Sequence, residues 1–208
     1  MFVLRSEQVI SPGRAEDYDA YQLHSLEAAR GQPGFLWEIR LRYLGNYAKR
    51  LTYQLWESKE ARLTYSRGAA WVRAPHGLLV GPADSGFYAK VAGVQDAPLA
   101  VGQYVVDRHF RVSNGVQGEF DALEAGLCDL AKGQPGFVAR QGLKFLGNDT
   151  SYVRVSIWRS WEDVEQWVST AEYVAENDAV MGRVVWTTAD RYEIIAMASE
   201  VPAFLALP

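Results

Sequence analysis

Few side chains in this 208-residue chain have the chemistry of a catalytic or metal-binding group. Of the three histidines, His76 sits in Arg73-Ala74-Pro75-His76-Gly77, a loop composition. There an imidazole could serve as a ligand or as a base near neutral pH, or simply be solvated. His24, between Gln22 and Ser25, reads as a solvated residue in mid-helix, and His109 reads as one member of an interior charge network with Asp107 and Arg111. The single cysteine, Cys128, is surrounded by Leu127, Leu130 and Ala131 and reads as helix packing rather than as a nucleophile. One thiol excludes an internal disulfide framework and fits a reducing cytoplasm. No pair of His, Asp or Cys residues has metal-ligand spacing, no glycine-rich phosphate loop occurs, and no motif supports a Ser/His/Asp triad. Any chemistry must come from elements that gather ordinary polar and aromatic residues.

Those elements occur twice. Gly31-Gln32-Pro33-Gly34-Phe35 is followed by Leu44-Gly45-Asn46 and Trp56-Glu57-Ser58, and 102 positions later Gly133-Gln134-Pro135-Gly136-Phe137 is followed by Leu146-Gly147-Asn148 and Trp158-Arg159-Ser160. A repeat this long implies two fused domains, 1–94 and 103–200, joined by a linker from Val94 to Gly102. In the first copy, residues 2–10 read as a strand, 15–30 as a helix stopped by Gly31-Gln32-Pro33-Gly34, 35–43 and 51–56 as strands, and a helix capped by Ser58 runs to about Trp71. A loop from Ala74 to Gly86 precedes a last strand near Phe87–Ala92. The second copy repeats the order, with Ser160 and Asp163 forming a capping box, and ends in a strand near Tyr192–Ala198 and an apolar tail, Val201–Pro208.

The βαββαβ order predicts an α+β fold of two ferredoxin-like domains, each with two helices on one face of an antiparallel sheet. Packing the two bare sheet faces together makes a pseudo-dimeric α+β barrel. Phe2, Leu4 and Ile10, with Tyr104, Val106, Phe110 and Val112, form the face for the helices. The opposite parity carries Arg5, Glu7, Asp107, His109 and Arg111, whose burial requires ion pairing.

A net charge of −4 gives no basic excess for phosphates, so neither nucleic acid nor a membrane surface is an expected partner. The N-terminal residues lack a targeting pattern and no apolar run approaches membrane length, so a soluble cytoplasmic protein is expected.

The Pro-Gly-Phe, the strand pair after it and the Trp-x-Ser-x-Glu-Ala of Trp56 to Ala61 resemble the antibiotic biosynthesis monooxygenase family of dimeric α+β barrels. The resemblance covers both halves and implies a tandem fusion in which one chain replaces the dimer, alone or as a homodimer. It implies, as one possibility, a cofactor-independent monooxygenase acting on a small aromatic or quinol-type ligand. Alternatives are a haem-binding or haem-degrading protein, with His76 on iron and Arg62 near a propionate, and a non-catalytic binding module. The Asn, Trp and His of the haem-degrading branch fall on Ser6, Tyr65 and Pro75, next to His76, in one half. In the other they fall on Arg108, Trp167 and Asn177, so neither half keeps the set.

The family pocket lies between helices and sheet, and there the copies differ. Phe120, Leu123, Leu127, Leu130 and Ala131 fill a helical stripe in the second copy, against Tyr18, Tyr21, Ser25, Ala28 and Ala29 in the first. Val164, Trp167 and Val168 face Arg62, Tyr65 and Ser66. A Leu-to-Ala-sized gap costs about 2–5 kcal/mol if left empty. The first copy is therefore expected to hold the ligand cleft, lined by Ser6, Gln8, Ser25 and Trp37, with Arg62 stabilising a substrate anion and Tyr65 or His76 handling the proton. The second copy is expected to be mainly structural; the alternative is a repacked first half.

Overall fold

The computed structural model describes residues 2–198, so the apolar tail Val201–Pro208 lies outside the described residues. The elements run β1 (Phe2–Val9), α1 (Ala15–Arg30), β2 (Phe35–Tyr43), β3 (Lys49–Trp56), α2 (Lys59–Arg67) and β4 (Asp84–Gln95), then β5 (Tyr104–Val112), α3 (Gln117–Ala131), β6 (Phe137–Phe145), β7 (Ser151–Trp158), α4 (Trp161–Val168), α5 (Ala171–Met181) and β8 (Val184–Ala198). This is the α+β, twofold βαββαβ order, with α4 and α5 together standing where one second helix was expected. Among the described residues no helix is long and apolar enough to cross a membrane.

The chain packs as two units, one ending at Tyr88 and regaining the chain from Ile195, the other Ala89–Ile194. Each centres on an antiparallel three-strand core, β1-β3-β2 or β5-β7-β6. β4 and β8 each run out of one unit and into the other; within the units β4 pairs with β1, and β8 with β5, both antiparallel.

The repeated Gly-Gln-Pro-Gly ends each first helix and turns the chain into the next strand. Gly34 and Gly136 sit at φ +80° and +70°, a region open to glycine without steric cost. A Cβ on Gly136 would lie 1.9 Å from the Asp163 carboxyl carbon. That carboxylate closes the capping box: it accepts from the Ser160 backbone N–H at 3.0 Å while the Asp163 N–H donates to the Ser160 hydroxyl at 3.1 Å. Motif and helix start are thus one packed unit. In the first copy Ser58 caps α2 through the Ala61 N–H at 3.0 Å, without the reciprocal bond.

The helix-facing parity holds. Phe2 and Leu4 pack with Ala29, Trp56 and Tyr65, Ile10 with Tyr18 and Leu78, and Phe110 and Val112 with Phe120, Leu127 and Tyr152. On the other parity Arg5 pairs with Glu7 at 3.0 Å, Glu7 with Lys49 at 3.1 Å, and His109 with a fully buried Asp107 at 3.1 Å.

Several boundaries move. α2 stops at Arg67 because Gly68 takes an extended conformation, and a loop occupies the place that α5 holds in the second unit. β4 runs to Gln95, through the start of the presumed linker, and β8 begins at Val184 rather than near Tyr192. Leu130 is 44% exposed, and Glu124 and Cys128 join the buried face of α3 instead.

Candidate functional site

The two copies build the same aromatic ladder between helix and sheet. In the first unit Trp56 stacks on Tyr65 at 5.6 Å and 24°, and Tyr65 meets Trp71 edge-on at 5.2 Å. In the second, Trp158 stacks on Trp167 at 6.1 Å and 28°, and Trp167 meets Tyr173 edge-on at 5.8 Å. What lies over the rings differs, and the cause is one position in the second helix.

In the first unit that position is Arg62, buried, with its guanidinium 4.7 Å from the Trp71 ring centre, 5.6 Å from Tyr65 and 5.8 Å from Trp56. Its Nε donates to Gln54 Oε1 at 3.3 Å, and Gln54 Nε2 donates to Glu38 at 2.6 Å, the carboxylate that also holds Arg40. Burial pushes the Arg62 pKa down from its usual value. The remaining cleft is about 50 Å3, lined by Ser6, Gln8, Ser25, Gln54, Arg62 and Trp71 among others. A water needs about 10–15 Å3 of such volume, so a few waters fill it.

Most of the sequence-predicted residues therefore do converge. Ser6, Gln8, Ser25 and Arg62 line one cleft, and Tyr65 borders it with its hydroxyl 3.4 Å from the Ser25 carbonyl, its pKa raised by burial. His76 is exposed on the loop after α2 and lines no cleft described here. Trp37 is buried and does not line the cleft, whose β2 wall is the next residue, Glu38. The loop after α2 adds to the core of this unit: Leu78 is fully buried with Ile10 and Tyr18, with Tyr21, Ala74 and Leu79 around them.

In the second unit the position of Arg62 is Val164. Among the described residues no guanidinium lies over the Trp158–Trp167 stack, and a cleft of about 160 Å3 opens, walled by Trp158, Trp161, Trp167 and Tyr173 and floored by Arg108, Arg140 and Arg154, with Arg191 4.1 Å over the Trp161 ring. A cavity of about 150 Å3 holds a benzene ring, so this cleft has room for a one-ring aromatic.

The floor is electrostatically divided. Arg140 donates to Glu176 Oε2 at 3.0 Å and to the Leu127 carbonyl at 2.9 Å. Arg154 donates to Glu176 Oε1 at 2.7 Å and to Glu124 Oε2 at 3.1 Å. All four groups are nearly inaccessible to solvent, and the adjacent carboxylates raise the Arg154 pKa. Gly142 makes the room: a Cβ there would stand 3.1 Å from Glu124 Oε2. Among the described residues Arg108 has no carboxylate within ion-pair distance. Its Nε donates to the Thr187 hydroxyl at 3.2 Å and its Nη2 to Asn177 Oδ1 at 3.0 Å, and burial lowers its pKa. Of the two clefts beside the aromatic ladders, that of the second unit is the larger, and among the described residues its Arg108 forms no ion pair with a carboxylate.

Neither cleft fits haem. No imidazole lines either one, and both volumes lie below the range of about 300–1,000 Å3 usual for sites of drug-sized ligands. Among the described residues no group of His, Cys, Asp or Glu could hold a metal ion. His24 is exposed, and burial pushes the Cys128 thiol up to about 11, where it packs rather than attacks.

Residues 103–178, the span containing the larger cleft, match the model of the antibiotic biosynthesis monooxygenase family. A candidate monooxygenase from Fusobacterium nucleatum superposes with a TM-score of 0.82 at 7% identity, covering 96% of this chain and 94% of that one. An anthrone oxidase-like protein gives 0.74 at 17% identity, covering 100% and 96%. A haem-degrading enzyme from Listeria monocytogenes gives 0.57 at 12% identity, covering 93% and 99%. At these identities the likeness is one of fold. No curated protein matches the chain.

Proposed function

From the antibiotic biosynthesis monooxygenase domain at residues 103–178, we propose a cofactor-independent oxygenase that takes a small phenol or quinol in the cleft of the second unit. The observation that carries this reading is Arg108, a cation without a carboxylate partner beside the uncovered faces of Trp158 and Trp167. An aromatic ring stacks on the indoles, and its hydroxyl meets the guanidinium. A neighbouring cation lowers the pKa of a hydroxyl by about 1–3 units. A phenol then ionises near neutral pH and passes its proton to water, which suits a cleft lined by neither imidazole nor carboxylate.

The bound phenolate gives one electron to dioxygen. Superoxide recombines with the phenoxyl radical at a ring carbon, and the peroxide loses water to leave a quinone. One oxygen atom enters the product, the other leaves as water, and all four electrons come from the substrate. The protein contributes stabilisation of the anion and a site that excludes bulk water. The few waters that fit beside Arg62 favour the second cleft over the first as the place of reaction. The two halves of one chain would stand in for a dimer, in the cytoplasm.

Oxygen uptake with a panel of one- and two-ring phenols and quinols tests the reading. Turnover that Arg108→Leu abolishes supports it. Ring binding without oxygen uptake would make the protein a carrier or sensor instead.

A further inference from the structure

On the other side of Gln22 and Thr52 from the small cleft, the first unit contains a pocket of about 340 Å3. Its walls are apolar, from Leu23, Leu26, Leu41, Leu51 and Ile195, and its polar groups are Arg40, Arg42, Arg50 and a single carboxylate, Asp19. Arg40 is taken up by Glu38. Arg50 is not: it is only 7% exposed, its Nη1 is used by the Tyr47 and Lys49 carbonyls, and its Nε is buried with no hydrogen-bond partner. Asp19 in the same wall supplies an opposing charge, but a guanidinium Nε withdrawn from water without an acceptor is still costly.

The second copy is an internal control. Where the first has Arg40, Arg42 and Arg50, it has Gly142, Lys144 and Tyr152. There the polar groups satisfy one another: the Tyr152 hydroxyl donates to Asp121 at 2.7 Å and Lys144 pairs with the same carboxylate at 3.3 Å. The first copy instead places three arginines and the equivalent carboxylate, Asp19, in the wall of a pocket large enough for a chain or a two-ring body.

We propose that this pocket binds an amphiphilic carboxylate, its head at the arginine wall that includes Arg50 and its apolar body between α1 and the β2–β3 pair. A guanidinium matches the planar fork of a carboxylate, three arginines outnumber the one carboxylate of the lining, and the leucines suit an uncharged body. The site is separate from the aromatic cleft of the second unit and does not depend on it.

Calorimetric titration of the full chain with decanoate, paired with decanol, tests this. Decanoate should bind with decanol at least tenfold weaker, and Arg50→Tyr, which installs the second copy's residue, should weaken decanoate at least tenfold. Arg108→Leu should leave it unchanged. Because Arg50→Tyr could perturb folding, Leu23→Trp at a position 58% exposed provides a second variant that blocks the pocket from its rim. It should abolish binding while leaving the melting temperature within a few degrees. No binding of decanoate, equal binding of decanol, indifference to both first-unit variants, or loss in Arg108→Leu would each overturn the assignment.

Discussion

Arg108 Nη2 donates to Asn177 Oδ1 at 3.0 Å, tying the middle of β5, in the floor of the aromatic cleft, to the last helix of the second unit. Because its partners are neutral, the guanidinium keeps its full charge for a ligand. Arg108→Leu should therefore weaken binding of a phenolate by the worth of a charged hydrogen bond, about 1.5–3 kcal/mol, or roughly ten- to a hundredfold in Kd. Arg108→Lys should recover part of it. Fluorescence quenching of the cleft tryptophans would measure both, and an unchanged Kd would remove Arg108 from the site.

Arg62 covers in the first unit the rings that Val164 leaves bare in the second. Arg62→Val should open a second ring-sized cleft, raising the stoichiometry of aromatic binding from one to two per chain. A titration that stays at one would mean that the loop around Leu78, and not Arg62, limits the first cleft.

The buried quartet of Arg140, Arg154, Glu124 and Glu176 predicts a large, asymmetric penalty. Removing one member strands a charge without its counter-ion, so Glu176→Ala should destabilise by about 3–5 kcal/mol. Chemical denaturation gives the value; a loss under about 1 kcal/mol would show that water enters and solvates the arginines.

Cys128 makes stability fall on the alkaline side. Its thiol titrates near 11 in the folded chain instead of at its ordinary 9, so the folded form holds the proton more tightly. The resulting stabilisation is complete below pH 9 and is lost as pH rises through about 11. Burial raises Tyr18 and Tyr152 as well and adds to the same limb. Cys128→Ala should flatten the melting-temperature decline between pH 9 and 11, and a thiol reagent at pH 8 should react only after unfolding.

Gly136→Ala would press a methyl group into the Asp163 carboxylate and hold alanine at positive φ. A cost of about 1–3 kcal/mol follows, exceeding that of Gly34→Ala, where the nearest neighbour is the Ala61 methyl at 2.8 Å. Comparison of the two melting curves checks the order.

The duplicated Gly-Gln-Pro-Gly and the Ser160 cap were readable because they are local: turn and cap depend on residues a few positions apart. The convergence of Ser6, Gln8, Ser25 and Arg62 followed from strand parity and helix spacing. The alternation of Glu38 and Arg40 with apolar neighbours suggests a polar, solvated face, yet both charged residues are buried. That the second cleft outsizes the first hinges on Arg62 filling its own pocket, and a long side chain's direction is not written in its spacing. Nor does the sequence reveal that Glu124 and Glu176 meet Arg140 and Arg154, because the partners lie on four separate elements.

β4 and β8 each begin in one unit and end in the other. As the chain leaves the ribosome, its first unit emerges without the strand end that starts at Ile195, leaving a sheet edge open to wrong partners. The N-terminal half has to wait for nearly the entire chain before it is complete. A cut at the sequence repeat would thus separate the first unit from the strand end, from Ile195, that belongs to it.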